Sequence, residues 1–174
     1  MTHLLELSDI SKSFGPVQAL QNVDFSLAAG EVVGLIGENG AGKSTLMNLL
    51  GGMLQPTAGT ISVDGHPVTI TDAVGASNLG ISFVHQELNL LDNLNVAGNI
   101  FLGREPRRFG CIDENHLAEK TRPLLEQLGL DIAPGHSLAD LTNGQKQLVE
   151  IAKAMSMEAR ILILDEPTSN LTIR

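Results

Sequence analysis

The sequence predicts an α/β fold in which an apolar strand leads through a glycine-rich turn into a helix. Residues 31–36 form a short apolar run that is typical of a buried strand, and residues 44–50 have the composition of a helix. Between them the segment GENGAGKS at 37–44 matches the pattern G-x-x-x-x-G-K-[ST] in full. A second apolar run at 161–164 predicts a buried parallel strand. Strands and helices therefore alternate, as α/β folds require.

The glycine-rich segment predicts a phosphate-binding loop. A strand that feeds a helix through such a turn directs successive backbone N–H groups at one point, where the helix N-terminus also favours anions. Lys43 can reach the β- and γ-phosphates, and the Ser44 hydroxyl can ligate Mg²⁺. Gly37, Gly40 and Gly42 let the backbone approach the ligand. An ordinary glycine-rich connection is the alternative, and the correct flanks disfavour it. We expect a nucleoside triphosphate to bind here.

Two acidic residues follow the second apolar run. Asp165 and Glu166 would lie at the carboxyl end of a parallel strand, which is where α/β sheets place their ligands. In a phosphate-loop protein, Asp165 is expected to hold Mg²⁺ opposite Ser44, and Glu166 to orient the attacking water. A solvated turn is the alternative, and it would be preferred if the phosphate loop were absent.

The other strands are indicated by alternation and turn residues. Residues 4–28 alternate apolar and polar side chains, which predicts strands or hairpins with one buried face. The segment at 60–65 predicts a strand ending in a turn, and the segment at 80–85 predicts a further strand.

From residue 92 to 158 the pattern becomes helical. Asp113 can cap a helix that ends at Gly129 and has Leu117, Leu124, Leu125 and Leu128 on one side. Pro123 is expected to kink or split this helix.

Thr142 and Gln145 form a T-x-x-Q capping box. It precedes a second amphipathic helix, whose apolar positions are Leu148, Ile151, Ala152 and Met155.

Composition limits the classes of function. With 43% hydrophobic and 18% charged residues the chain is globular, and no apolar run is long enough for a transmembrane helix or a signal peptide. A net charge of −9 argues against a nucleic-acid partner. The one basic cluster, Arg104, Arg107 and Arg108, is interpreted as a solvated loop. The single cysteine, Cys111, fits a reducing cytoplasm.

Taken together, these motifs resemble the nucleotide-binding domain of an ATP-binding cassette (ABC) transporter. The order matches throughout: Walker A at 37–44, a glutamine loop at 85–88, a signature motif at 141–145, and Walker B at 161–165. The resemblance implies a P-loop NTPase (RecA-like) core, an N-terminal antiparallel β-subdomain and a helical subdomain. The expected division is 1–91 (β-subdomain and Walker A core), 92–158 (helical subdomain with the signature) and 159–174 (Walker B and D-loop).

The resemblance also implies site residues and cofactors, with ATP and Mg²⁺ as the expected ligands. Asn39 and Thr45 join the loop residues at the nucleotide, and Phe14 lies where the family stacks an aromatic ring on adenine; a core phenylalanine is the alternative. Gln86 would contact Mg²⁺ and the attacking water, with Glu166 as the second catalytic residue. The signature residues Thr142, Asn143, Gly144 and Gln145 would act on the γ-phosphate held by a second nucleotide-binding domain.

A finer likeness concerns the ATPases of bacterial ribose, xylose and galactose importers, in which two such domains lie in tandem. The segments 37–45, 85–90, 99–105 and 149–154 carry it, and they match the first domain. The implied partners are integral-membrane permease subunits, a second nucleotide-binding domain and, indirectly, a periplasmic sugar-binding protein. The implied location is peripheral, on the cytoplasmic face of the inner membrane.

The chain departs from the family in two places. The signature reads LTNGQ, with Thr142 in place of the usual serine and Asn143 in place of a small residue. The sequence also stops after the D-loop position, and all five histidines precede Walker B, so none matches the family's switch histidine. The core sheet is therefore expected to be incomplete at its C-terminus, and the chain alone is expected to be inactive.

Two other functions are alternatives to a transport ATPase. The first is a truncated, non-catalytic remnant that at most binds nucleotide. The second is a soluble cassette ATPase of DNA repair or translation, which the single cysteine and the lack of a basic footprint disfavour. The sequence does not name the sugar or the permease.

Overall fold

The fold is taken from a computed structural model that describes residues 3–84 and 88–165. The chain divides into two compact units, Met1–Ile81 and Ser82–Arg174. The three-part division expected from the resemblance stays a prediction. Within the described residues, no helix combines the length and the apolar character needed to cross a bilayer.

An antiparallel sheet of four strands forms most of the first unit. Its strands are β1 (Leu5–Phe14), β2 (Val17–Leu27), β3 (Ala58–Val63) and β4 (His66–Val68), in the order β2-β1-β3-β4. The predicted alternation is confirmed in β1, where Leu5, Leu7 and Ile10 are buried while Glu6, Ser8 and Asp9 are exposed. The predicted strand and turn at 60–65 is likewise confirmed as β3, followed by a turn with positive φ at Asp64 and Gly65.

Two helices belong to the same unit. α1 (Lys43–Leu50) follows the predicted phosphate loop and buries Leu46, Met47, Leu49 and Leu50. α2 (Ala73–Asn78) is capped by Asp72, whose side chain accepts a hydrogen bond from the backbone N–H of Gly75 at 2.7 Å.

The strand expected at 31–36 is absent, and that prediction was wrong. Residues 31–38 carry no regular secondary structure, and Val32 and Ile36 are 96% and 98% exposed. No strand among the described residues pairs with this run, so its N–H and C=O groups have no ladder to join. Apolar, β-branched residues favour a strand only when a neighbouring strand is there to receive it.

A helical core organises the second unit. Its helices are α3 (Val96–Ile100), α4 (Glu114–Gln127) and α5 (Asn143–Met155), with a short 3₁₀ helix at Leu138–Asp140. The side chains that form the buried core come from all of these elements and from the loops between them: Val96, Ala97, Ile100, Phe101, Leu117, Leu125, Leu130, Leu138, Leu141, Val149 and Ala152.

α4 confirms the predicted cap and refutes the predicted split. The Asp113 side chain accepts from the backbone N–H of His116 at 3.1 Å, and Gly129 ends the helix with φ +65°. The helix nevertheless runs unbroken through Pro123. Pro123 is exposed, so water can hydrate the carbonyl that loses its partner, while the buried Leu117 and Leu125 hold both halves on the same core.

α5 is buried on more sides than the predicted amphipathic face allows. Ala152 is fully buried as expected, but Leu148, Ile151 and Met155 are only partly buried. The other buried positions are Gln147, Val149, Glu150 and Ala154. The helix packs on several segments at once, and a single-stripe pattern cannot reveal this.

The remaining strands form two small sheets. β5 (Ile81–Val84) pairs with β8 (Ile161–Leu164), and β6 (Arg107–Arg108) pairs with β7 (Cys111–Ile112) as a hairpin. β8 confirms the predicted strand at 161–164, but Leu162 and Leu164 are 39% and 38% exposed, so the expectation that it is buried was wrong. Within the described chain β5 is the only strand that pairs with β8, which leaves part of its surface uncovered.

Arg104, Arg107 and Arg108 are all exposed, as expected of a solvated loop, and Arg104 also hydrogen-bonds to its own unit. Its guanidinium donates to the backbone oxygens of Ile100 (2.8 Å) and Ser156 (3.1 Å) and to the Ser156 hydroxyl (2.8 Å). Burial lowers the pKa of Arg104, while the carboxylate of Glu105 acts in the opposite direction.

Candidate functional site

Gly42 joins the glycine-rich loop to α1 and has a backbone conformation that favours glycine. Gly42 has φ +88°, the left-handed region that L-residues avoid, and it caps α1. A Cβ atom at this position would lie 2.7 Å from the Ala19 carbonyl oxygen and 2.7 Å from Leu20 Cδ2. The loop therefore lies directly against β2, and this contact fixes the position of the first turn of α1.

Lys43 folds back onto its own loop. Its ammonium donates to the Gly37 carbonyl oxygen at 2.6 Å and to the Glu38 carbonyl oxygen at 2.9 Å. Both carbonyls belong to the glycine-rich segment, so the cation lies within the turn where a phosphate is expected. An ammonium satisfied only by neutral carbonyls can exchange them for phosphate oxygens, which bind it more strongly.

The remaining loop residues are accessible. Gly37, Asn39, Gly40 and Ser44 are exposed and Thr45 is half-buried, so the Ser44 hydroxyl in the first turn of α1 is open to a ligand. Because the first N–H groups of a helix have no intrahelical partners, this turn supplies donors for an anion. The fit between these residues and a polyphosphate is good: free N–H donors, one cation and one hydroxyl surround a turn without bulky side chains.

Phe14 lies at the end of β1, opposite Val17 at the start of β2. Its ring is 47% exposed, which excludes the alternative of a buried core phenylalanine. The Lys12 ammonium lies 5.2 Å from the ring centroid and donates to the Gln55 carbonyl oxygen at 2.6 Å. One strand, β2, thus carries both the residue opposite Phe14 and the Ala19–Leu20 contact with the phosphate loop.

Asp165 follows β8 directly, as predicted. Its backbone N–H donates to the Val84 carbonyl oxygen at 3.1 Å, which joins the ends of β8 and β5. Gln86 and Glu166, the two predicted catalytic residues, and the D-loop position lie outside the described residues. Ser44 belongs to the first unit and Asp165 to the second, so their joint ligation of a metal stays a prediction.

The chemistry of the described donors suits magnesium bound together with a nucleotide. The described ranges contain no group of three or more His, Cys, Asp or Glu side chains placed to hold a metal. Mg²⁺ is usually held by one or two protein oxygens, with phosphates and waters completing its octahedron. The hydroxyl of Ser44 and the carboxylate of Asp165 are each oxygen ligands of this kind.

The predicted capping box at the start of α5 is confirmed. The Thr142 hydroxyl accepts from the Gln145 backbone N–H at 3.3 Å, and the Gln145 side-chain oxygen accepts from the Thr142 N–H at 3.0 Å. Asn143 is exposed and Gly144 half-buried. The box fixes the first turn of α5 while leaving the backbone of Asn143 at the surface, where an external anion can approach the helix N-terminus.

Asn99 is a buried polar residue whose structural role the sequence analysis did not predict. It is fully buried, and its side chain hydrogen-bonds both backbone groups of Leu91, the N–H at 2.7 Å and the carbonyl at 3.0 Å. Leu91 lies a few residues after the predicted glutamine loop. No periodicity marks such a residue; the only signal was a polar side chain inside an apolar helical stretch.

Comparison with known families and curated proteins gives a consistent result. A family model described as "ABC transporter" matches residues 20–169. The chain is 51% identical over its whole length to ribose import ATP-binding protein RbsA 1 of Rubrobacter xylanophilus, of which it covers 35%. It is 52% identical over 98% of its length to a putative ribose/galactose/methyl galactoside import ATP-binding protein of Rhizobium meliloti, of which it covers 34%. The chain thus spans about a third of the length of these relatives.

Solved structures agree with the fold. An ATP-binding cassette of an ABC transporter superposes with a TM-score of 0.84 at 28% identity, covering 99% of this chain and 72% of that one. A nucleotide-free ATP-binding cassette gives a TM-score of 0.78 at 29% identity, covering 95% of this chain and 69% of that one. The fold class expected from the sequence, a P-loop core with an antiparallel β-subdomain, is confirmed by these neighbours.

Proposed function

Because the chain belongs to the ABC transporter family, we propose that it binds and hydrolyses ATP as part of a subunit that energises monosaccharide import. The observation that carries the proposal is the loop at 37–44. In this loop Gly42 lies in close contact with β2, and the Lys43 ammonium donates a hydrogen bond to the Gly37 carbonyl oxygen. The curated relatives are named for import of ribose or of ribose and galactosides, which supports a pentose or hexose as the transported sugar.

The nucleotide would be held through its phosphates. Backbone N–H groups of the loop and of the first turn of α1 donate to the phosphate oxygens, and Lys43 exchanges its two carbonyl partners for the β- and γ-phosphates. Phe14, half-exposed at the end of β1, offers a face on which a base can stack.

Mg²⁺ would be ligated by Ser44, Asp165 and Gln86 and would neutralise charge on the phosphates. Glu166 would orient the attacking water. Phosphoryl transfer needs little covalent chemistry from the protein, so positioning and charge neutralisation supply most of the acceleration.

The signature segment would serve a second nucleotide-binding domain. Thr142, Gly144 and the open backbone of Asn143 present a hydroxyl, N–H groups and the positive end of α5. Permease subunits in the membrane, and through them a periplasmic sugar-binding protein, are the proposed partners. The proposed location is peripheral, on the cytoplasmic face of the membrane.

Binding and hydrolysis are tested by separate assays on the purified chain. Equilibrium dialysis with radiolabelled ATP should show saturable binding that Lys43→Met weakens strongly. The chain alone is expected to be inactive; any release of phosphate that it does show should require Mg²⁺ and should be lost in Glu166→Gln, which retains ATP. Binding without any turnover in the unaltered chain would support the alternative of a non-catalytic remnant, and absence of binding would refute the proposal.

The sugar class is tested in cells. A strain that lacks the ATP-binding subunit of its ribose importer is supplied with this chain, and uptake of radiolabelled ribose, galactose and xylose is compared. Restored uptake of one sugar identifies the substrate, with the Lys43→Met variant as the control. Absence of uptake of all three sugars, with the chain expressed and binding ATP, would contradict the assignment to sugar import.

A further inference from the structure

Lys12 joins the aromatic ring of Phe14 to the segment that precedes β3. Its ammonium lies 5.2 Å from the Phe14 ring centroid and donates a hydrogen bond to the Gln55 carbonyl oxygen at 2.6 Å. A cation over an aromatic ring is attracted by the negative face of the ring, and the attraction grows as the cation is shielded from water. Lys12 is half-buried, so a single side chain restrains both the ring and its own position on the Gln55 carbonyl.

The backbone on both sides of Lys12 is bound to the same segment. The Thr57 N–H donates to the Ser11 carbonyl oxygen at 2.8 Å, and the Thr57 hydroxyl accepts from the Ser13 N–H at 3.1 Å. The pairing of β1 with β2 shifts register between Lys12 and Ser13, so the sheet ladder is irregular at this point. The bonds to Thr57 therefore fix the backbone from which the Lys12 side chain extends.

The Phe14 ring lies within reach of the phosphate loop. Phe14 pairs with Val17, and Val17 lies two residues before Ala19, whose carbonyl oxygen is the β2 atom that Gly42 approaches. Two residues of a strand span about 7 Å. The base of a nucleotide whose phosphates are bound in the loop can therefore reach the ring, which is 47% exposed. The ammonium lies over one face, and the exposed area is available to the base.

We propose that Lys12 is a positioning residue for nucleotide binding: it holds the Phe14 ring in the orientation in which the ring stacks on the base. The inference rests on the proposed function, since it is there that Phe14 acquires its role at the base. A ring at the end of a strand can rotate about its side-chain bonds, and fixing it before binding lowers the entropy cost of ordering it. Lys12 acts through the ring, and its ammonium stays bound to the Gln55 carbonyl when nucleotide binds.

Lys12→Met tests the proposal, because it removes the ammonium and keeps most of the side-chain volume. Isothermal titration calorimetry of the whole chain compares ATP with inorganic tripolyphosphate, which offers three phosphates to the loop but has no base. Mg²⁺ is left out, so that the ligands of the metal do not enter the comparison. In Lys12→Met the affinity for ATP should fall about two- to fivefold, the effect of a cation–π contact at a partly exposed site. The affinity for tripolyphosphate should stay unchanged.

A double variant shows whether Lys12 acts through the ring. Phe14→Ala should lower the affinity for ATP about fivefold or more, the usual effect of removing an aromatic side chain on which a base stacks. Adding Lys12→Met to it should lower the affinity no further. Lys12→Arg, which can still donate to the Gln55 carbonyl and lie over the ring, should keep the affinity of the unaltered chain. Additive losses in the double variant, an equal loss for ATP and tripolyphosphate in Lys12→Met, or full affinity for ATP in Lys12→Met would overturn the proposal.

Glu6→Met is the matched control. Glu6 is an exposed, charged residue of the same strand, far from the ring, and the variant introduces the same methionine side chain. It should leave the affinities for ATP and for tripolyphosphate unchanged. A loss of ATP affinity as large as that of Lys12→Met would contradict a specific role for Lys12.

A nucleotide-independent measurement separates this inference from the proposed function. The five phenylalanines are replaced by 4-fluorophenylalanine, and the fluorine NMR signal of Phe14 is identified by its loss in Phe14→Leu. This signal should become narrower in Lys12→Met, because a ring released from the ammonium moves more freely, and should keep its width in Glu6→Met. If the unaltered chain binds neither ATP nor tripolyphosphate, the proposed function fails, and the line width still decides whether Lys12 holds the ring. An unchanged line width in Lys12→Met would refute the positioning role.

Discussion

Substitution of Gly42 by alanine should damage the phosphate loop in a way that the same change at Gly40 does not. Both glycines have left-handed backbones, with φ +88° and +86°. A Cβ at Gly42 meets the Ala19 carbonyl oxygen at 2.7 Å, whereas one at Gly40 meets no atom within 4 Å. The two variants therefore share the backbone strain and differ in the steric clash.

The expected magnitudes follow from these two costs. A left-handed conformation costs an L-residue roughly 1–2 kcal/mol. Forcing a methyl group against a packed neighbour costs about 1–3 kcal/mol more. Neither side of the Gly42 contact can move away easily, because α1 is held by the buried Leu46 and Leu49, and Ala19 is backbone of a paired strand. We expect a loss of about 1–2 kcal/mol for Gly40→Ala and about 2–5 kcal/mol for Gly42→Ala.

Urea unfolding followed by circular dichroism measures both losses, since the chain has no Trp or Tyr for intrinsic fluorescence. The measurement is made without nucleotide, so that contacts of Gly40 with a ligand do not enter. Equal destabilisation of the two variants, or a smaller effect at Gly42, would refute the argument that close approach to β2 requires glycine there.

Three further predictions concern other parts of the structure. Lys43→Met should weaken ATP binding about ten- to a hundredfold, the value of a hydrogen bond to a charged group, and should leave the unfolding free energy nearly unchanged; a large loss of stability would contradict this. Asn99→Ala should cost about 2–4 kcal/mol of unfolding free energy, because it removes three hydrogen bonds worth about 1 kcal/mol each; a loss below about 0.5 kcal/mol would refute it. The Gly103 N–H donates to Glu105 at 2.9 Å and lowers the pKa of that carboxyl, so this stabilisation is present above the ordinary carboxyl pKa of about 4.3 and is lost as the pH falls through the lowered value. The pH dependence of the Gly103 amide resonance measures the change, which Glu105→Gln should abolish.

Elements that local chemistry specifies could be predicted from the sequence. Asp113 and Thr142 cap α4 and α5 as expected, because a cap depends only on residues within one turn. The phosphate loop is equally local: Gly42 and Lys43 lie where the pattern predicts, at the start of α1.

Elements that depend on distant partners could not be predicted. The run at 31–36 has strand composition but no strand partner within the described residues, and Leu162 and Leu164 of β8 stay partly exposed for the same reason. The role of Asn99 depends on its contact with Leu91, which no spacing rule encodes. The β6–β7 hairpin was also missed, although Phe109 and Gly110 both have positive φ, which suits a tight two-residue turn.

The run at 31–36, with which no described strand pairs, leads directly into the phosphate loop. The phosphate loop is held at its C-terminal end by α1 and β2, but its N-terminal end continues into a segment without secondary structure. Any strand that pairs with this segment would reduce the freedom that nucleotide binding must otherwise remove, and so would tighten binding. Coupling free energies are reciprocal, so bound nucleotide would favour that pairing by the same amount. A change that strengthens the pairing of residues 31–36 should therefore also raise the affinity for nucleotide, and the reverse should hold as well.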